Sequence, residues 1–219
     1  MTLPAADVLL TFFGIVVLLA LSPGPDNLFV LTQSVQRGSA VGMAVVRGLC
    51  LGIGVHTLAV AAGLAAVLAA SPVAFDIMKW CGAAYLVYLA WGAWRAPVDV
   101  VAPQEARPKE QYARLGLREN MQLMGRGMLM NLTNPKVLIF FLALLPQFAD
   151  PARGSVSQQI VVLGLVCMLG TFLVFGAVAF FSGVFGSVLQ RSAKAQRWLN
   201  RLAATVFVGL ALRLAMTQK

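Results

Sequence analysis

Six stretches of this chain are apolar over lengths that suit a lipid bilayer, and that feature leaves few folds open to it. They run roughly from Val8 to Val35, Met43 to Ala70, Ile77 to Trp94, Gly127 to Phe148, Ile160 to Val188 and Leu199 to Leu214. A spanning helix needs about 20 mostly apolar residues, so each stretch is read as a membrane helix. Composition agrees: 59% of the 219 residues are hydrophobic and 11% charged, against about 45–50% and about 25% in soluble domains. No Lys or Arg precedes the first stretch, which runs on through Pro-Gly-Pro instead of ending at a small-residue cleavage site. The first segment is therefore expected to be kept as a span, not removed as a signal peptide.

The formal charge of +9 would suggest nucleic acid as partner in a soluble protein. Here the cations gather between apolar stretches, a pattern that reports orientation in a bilayer and gives no nucleic-acid site. Cys50, Cys81 and Cys167 lie in three different stretches without C-x-x-C spacing, so neither a disulfide framework nor a metal site is expected. Nothing resembles a Walker loop, a zinc signature or a catalytic triad, so no enzyme activity and no cofactor is expected.

Between the third and fourth stretches, residues 97–120 carry Asp99, Glu105, Arg107, Lys109, Glu110, Arg114, Arg118 and Glu119. This hydrated linker divides the chain into 1–96 and 121–219, three spans each. Because three is odd, the second half must enter the membrane from the opposite face, the inverted-repeat plan of many transporters. Each half breaks its first span at proline, "PGPDNLF" and "TNPKVLIF", and Trp80…Arg95 recurs as Trp198…Arg213 at equal spacing. The expected fold is an all-α integral membrane protein of six helices in two inverted three-helix repeats, the first and fourth broken at Pro23, Pro25 and Pro135. The loops after spans one, three and five hold 11 Lys and Arg, and the opposite side 4. By the positive-inside rule, those loops are cytoplasmic and both termini periplasmic.

Proline inside a helix removes an N–H and clashes with the preceding turn, at a cost of about 3 kcal/mol or more. In lipid the freed carbonyls have no water to bond, so such breaks belong in protein or beside a wet cavity. From Val8 to Leu21 the first helix rises about 21 Å and from Gly127 to Asn134 the fourth about 12 Å. Both breaks then lie roughly 9–12 Å from the cytoplasmic face of a 30 Å core, where they could meet. Start signals follow each: Ser22, or Asp26 and Asn27 beyond Pro25, and Asn134 as cap with Pro135 at the first helical position. Two helix N-termini with unpaired N–H groups suit an anionic group, and Lys136 adds a full positive charge. Asp26 can pair with Lys136, accept a substrate ammonium or carry a coupled proton. Intramembrane charges are costly and usually functional. The substrate-binding candidates around the breaks are Ser22, Gly24, Asp26, Asn27, Asn131, Asn134 and Lys136, and the proton-relay candidates Asp26 and His56. Arg47 sits near a span end and is read as snorkelling outward. Gly48 and Gly52 have the small-xxx-small spacing that lets another helix approach closely.

The ordered motifs "SPGPDNLFVLTQSVQRG", "GLCLGIGVHTLAVAAGLAAVL", "MKWCGAAYLVYLAWGAWRA" and "GRGMLMNLTNPKVLIFFLALLPQF" resemble the LysE/RhtB family of bacterial amino-acid exporters. The resemblance implies a multi-pass secondary transporter of the bacterial inner membrane that exports amino acids or related metabolites, driven by the proton motive force. Its partners would be a small-molecule substrate and membrane lipids, with a homo-oligomer left open. It carries site roles to Pro23, Gly24, Pro25, Asn134, Pro135 and Lys136. Thiol-disulfide electron carriers of the wider superfamily are similar in plan but hold cysteines beside the breaks, where this sequence has none. Electron transfer is the second reading.

Overall fold

A computed structural model describes residues 4–22, 24–70, 72–95, 116–182 and 193–216. The linker as far as residue 115, Pro23, and the end of the fifth stretch at Val188 lie outside the described residues. Among those described there is no strand. The helices are α1 (Ala6–Leu21), α2 (Pro25–Arg37), α3 (Ser39–Ala70), α4 (Pro72–Arg95), α5 (Leu117–Thr133), α6 (Pro135–Ile139), α7 (Val156–Phe180) and α8 (Ala193–Met216). Helix α5 starts at Leu117, inside the segment read as linker and ten residues before Gly127, because its first turns are polar and carry no apolar signal.

The winding does not stop with α6. It widens to a π-turn over Phe140–Leu144, with the Leu145 N–H donating to the Phe140 carbonyl, then tightens to a 3₁₀ turn over Leu145–Phe148. Pro146 explains the change, since it has no N–H to continue the α ladder and its ring crowds the preceding turn.

Two helical segments, Ser39–Gly63 of α3 and Val156–Phe180, are long and apolar enough to cross a membrane. Two further pairs qualify if each is taken as one bent span: α1 with α2, bent by 62°, and α5 with Pro135–Phe148, bent by 58°. By length and composition the described residues thus supply two to four of the six expected spans. Within α8, Asn200–Leu212 is a shorter apolar helix.

Helix α3 is the centre of the packing. Along α5 it runs parallel: a methyl group added at Gly48 would strike the Met124 carbonyl, one at Gly127 the Val45 carbonyl, and one at Gly52 would lie 2.6 Å from Asn131 Oδ1. Along α7 it runs antiparallel, with Gly42 beside Ala179, Cys50 Sγ 3.8 Å from the Met168 carbonyl, and Ser157 Oγ donating to the Ala61 carbonyl at 2.8 Å. Small residues allow this approach, and in lipid, where apolar burial offers little gain, close packing must supply the association energy. The small-xxx-small pair Gly48 and Gly52 thus finds its partner in α5. Helices α4 and α8 pack on one another, and α1 lies on α7 with Val16 against Gly170. Leu10, Leu58, Leu165 and Phe180 point outward, as a lipid-facing surface requires.

Gly48→Ala should force α3 from α5 and lower stability by about 1–3 kcal/mol, the usual cost of overpacking. Gly14→Ala, with nothing within 4 Å of the added carbon, should change it by less than about 0.5 kcal/mol. Thermal unfolding in detergent, followed by loss of the monodisperse species, checks both.

Candidate functional site

The first break leaves the last carbonyls of α1 without helical partners. Side chains from beyond the break take them up: Asn27 Nδ2 donates to the Ala20 carbonyl at 2.8 Å and to that of Leu21 at 3.4 Å. The Ser22 carbonyl accepts from Lys136 Nζ at 2.9 Å. Lys136 belongs to the second break, so the two interruptions meet. Ser22 turns out to close α1, its N–H bonded to the Leu18 carbonyl at 2.9 Å, while Gly24 is the residue at the start of α2 with Pro25 in the first turn. The cap expected of Ser22, Asp26 or Asn27 is thus replaced by a glycine with no side-chain cap bond. A Cβ there would stand 3.4 Å from Lys136 Nζ, so glycine leaves the lysine head its room.

At the second break the expected cap is present. Asn134 caps α6, its side chain accepting from the Lys136 N–H at 3.0 Å and its carbonyl from Val137 at 3.1 Å and Leu138 at 3.0 Å, with Pro135 in the first turn. These bonds occupy the first N–H groups of α6, which corrects the expectation of two open N-termini. Of the two helices that begin at the breaks, α2 is the one without a side-chain cap.

A cavity of about 30 Å³ lies between the breaks. Of the candidates, Gly24, Asp26, Asn27, Asn131, Asn134 and Lys136 line it, and Ser22 reaches it through its carbonyl. Asp26 and Lys136 do not pair directly. Among the described residues the ion pair within 4 Å is Arg37 with Glu119, exposed where α2 ends and α5 begins. Asp26 Oδ2 instead accepts from Asn131 Nδ2 at a long 3.5 Å. Three buried oxygens, Asp26 Oδ1, Asn27 Oδ1 and Asn131 Oδ1, have no hydrogen-bond partner. Buried acceptors are nearly always satisfied, so three orphans on residues that line one cavity mark a place short of donors.

His56 is buried on α3 but does not line the cavity; its ring stacks on Phe141, centroids 5.3 Å apart, and Phe141 does line it. Arg47 is exposed and its guanidinium reaches Asn120 Oδ1 at 3.4 Å, as expected of a residue at a span end. The sequence reading missed Ile53 on α3 and Cys167 and Thr171 on α7, which complete the wall. Thr171 had a signal, a hydroxyl deep in an apolar helix one turn after Cys167. All three cysteines are free, and Cys167 lines the cavity. No group of three His, Cys, Asp or Glu able to hold a metal occurs among the described residues.

The profile of the LysE type translocators matches residues 8–218. The chain belongs to the LysE translocator family. It is 30% identical over 191 residues to a homoserine/homoserine lactone efflux protein of Salmonella typhi, covering 87% of each. It is 29% identical to a leucine efflux protein of an Enterobacter species over 90% of each, and 32% to an uncharacterised membrane protein of Vibrio cholerae over 91% of this chain and 92% of that one. No solved structure matches it. As a family member with long apolar helices it is a multi-pass membrane protein, and the family's work is transport of small molecules.

Asn27→Leu should leave the Ala20 and Leu21 carbonyls unpaired at a cost of about 1–3 kcal/mol, while Asn27→Gln, which keeps the amide, should lose less. Thermal unfolding of the purified protein in detergent compares the two.

Proposed function

We propose that the chain is a secondary active exporter of an amino acid or related small metabolite across the bacterial inner membrane. The observation that carries this is the cavity between the breaks, lined by Asp26, Asn27 and Asn131, each with a buried oxygen that has no partner, and by Lys136. A zwitterion matches both poles. Its ammonium donates to Asp26, Asn27 and Asn131, and its carboxylate takes the Lys136 hydrogens not used on Ser22 together with the uncapped start of α2. The apolar side chains of Ile53, Phe140 and Phe175 receive the remainder of the substrate.

At about 30 Å³ the cavity holds a water or two, so substrate entry needs the helices to part. The bends of 62° and 58° are where they can hinge. Helix relations support the inverted triplets. Helix α5 runs parallel to α3; α1 and α7 both leave the end near Asp150 and meet at Val16 and Gly170, which makes the equivalent pair. The central helices of the two halves, α3 and α7, pack on each other, as do the outer ones, α4 and α8, as a two-fold relation requires. Arg37, Arg47, Arg118 and Arg126 gather at the end where α3 and α5 begin, which by the positive-inside rule is cytoplasmic and puts both termini outside. Export against a gradient needs a coupled ion, and a buried carboxylate with one free oxygen can carry a proton through the cycle.

Cells or vesicles loaded with labelled amino acids test this reading. Lys136→Met and Asp26→Asn should each cut efflux at least tenfold, and efflux at the wild-type rate in both variants would sink the site. If Asp26 carries the coupled proton, Asp26→Asn should abolish gradient-driven accumulation more completely than substrate exchange. A variant with all three cysteines changed to serine should transport normally, whereas an electron carrier would lose its activity.

A further inference from the structure

A second cavity, of about 180 Å³, opens where α1 begins and the broken fourth segment ends, lined by Asp7, Val8, Thr11, Gln147, Phe148 and Asp150. The same two segments line both cavities. Along α1, Asp7, Val8 and Thr11 face the outer one and Val16, Leu19 and Ala20 the inner. Along the other segment, Lys136, Val137, Phe140 and Phe141 face the inner one and Gln147 to Asp150 the outer. From Val8 to Val16 is eight residues, about 12 Å of helix, so the two spaces lie close to each other along α1.

Aromatic rings fill the interval. Phe12, fully buried, sits between Phe148 of the outer cavity, centroids 5.1 Å apart and edge-on, and Phe140 of the inner, 5.8 Å apart. Phe140 meets Phe141 at 5.6 Å, also edge-on. We propose that Phe12, Phe140 and Phe148 form a closed apolar barrier between the substrate cavity and an acidic outer vestibule, so that an amino acid leaves only when these rings part. An apolar plug suits this place because a zwitterion or hydrated ion crossing it would lose its hydrogen bonds without replacement. On its far side, Asp7 and Asp150 meet the departing ammonium. The rim is fixed by Gln159, whose amide donates to the Asp150 carbonyl at 2.8 Å and accepts from its N–H at 3.0 Å. The direction of exit rests on the export reading, whereas the barrier itself can be tested without transport.

On a cysteine-free background, single cysteines at Thr11 and at Thr171 report the vestibule and the inner cavity to a membrane-impermeant maleimide applied to each face of membrane vesicles in turn. Thr11→Cys should label rapidly from one face, and Thr171→Cys at least tenfold more slowly from that face. Adding Phe12→Ala with Phe148→Ala should bring the Thr171→Cys rate close to that of Thr11→Cys and leave the latter unchanged. Phe207→Ala, which empties the same core cluster away from this line, should raise neither. Where the double alanine form fails to fold, Phe12→Leu, which keeps most of the volume and removes the ring stacking, should still speed labelling at Thr171→Cys severalfold. Rapid labelling of Thr171→Cys from the vestibule face with the rings intact, no gain when they are removed, or an equal gain from Phe207→Ala overturns the barrier. Absence of efflux in a protein that shows the expected labelling overturns the export reading and leaves the barrier standing.

Discussion

A backbone carbonyl freed inside a membrane must find its donor within the protein, and this one requirement organises the centre of the molecule. Breaking α1 at Leu21 exposes carbonyls of Ala20, Leu21 and Ser22, and lipid offers them nothing. Asn27 returns from the next helix to two of them and Lys136 crosses from the other half of the chain to the third. The lysine thereby joins the two broken segments, and the space around that junction is the cavity. A group that looks costly in lipid is placed where it relieves another cost.

The junction would not form without close helix approach elsewhere. Gly48, Gly52 and Gly127 bring α5 against α3 nearly backbone to backbone, which sets Asn131 beside Asp26 and delivers Asn134 and Lys136 to the end of α1. On the other side, Gly164 and Gly170 admit Thr57 and Val16, bringing α7 with Cys167 and Thr171 to the cavity wall. Polar recognition at the centre and glycine packing around it are one design, because a hydrogen bond across two helices tolerates only a few tenths of an ångström of displacement. The aromatic rings between the two cavities belong to the same frame, held by the π-turn that Pro146 imposes on the segment carrying Phe140 and Phe141.

Much of this was legible in the residues. Prolines in apolar runs marked the breaks, Asn-Pro gave the start of α6, and Gly48 with Gly52 announced a close helix neighbour. The site candidates came from the same logic, since polar and charged residues beside a membrane break have few other uses. What could not be read was which group answers which. Pairing with Lys136 was one of three roles open to Asp26, yet the lysine goes to a carbonyl and the carboxylate to an amide, because satisfying a bare backbone oxygen competes with the Coulombic attraction. Ile53 was invisible for a simpler reason: apolar residues in membrane helices look alike until one knows which face turns inward.

By itself, the sequence determined that the chain is helical and membrane-embedded, where its helices break, and that the breaks carry opposite charges and capping groups, for these follow from local rules of solvation and backbone geometry. Tertiary structure alone decided that α5 runs beside α3, that the second break supplies the donor for the first, and that three acceptor oxygens remain without partners. Those outcomes depend on contacts between residues about a hundred positions apart, and no local preference of the chain specifies which of its many small-residue faces will meet.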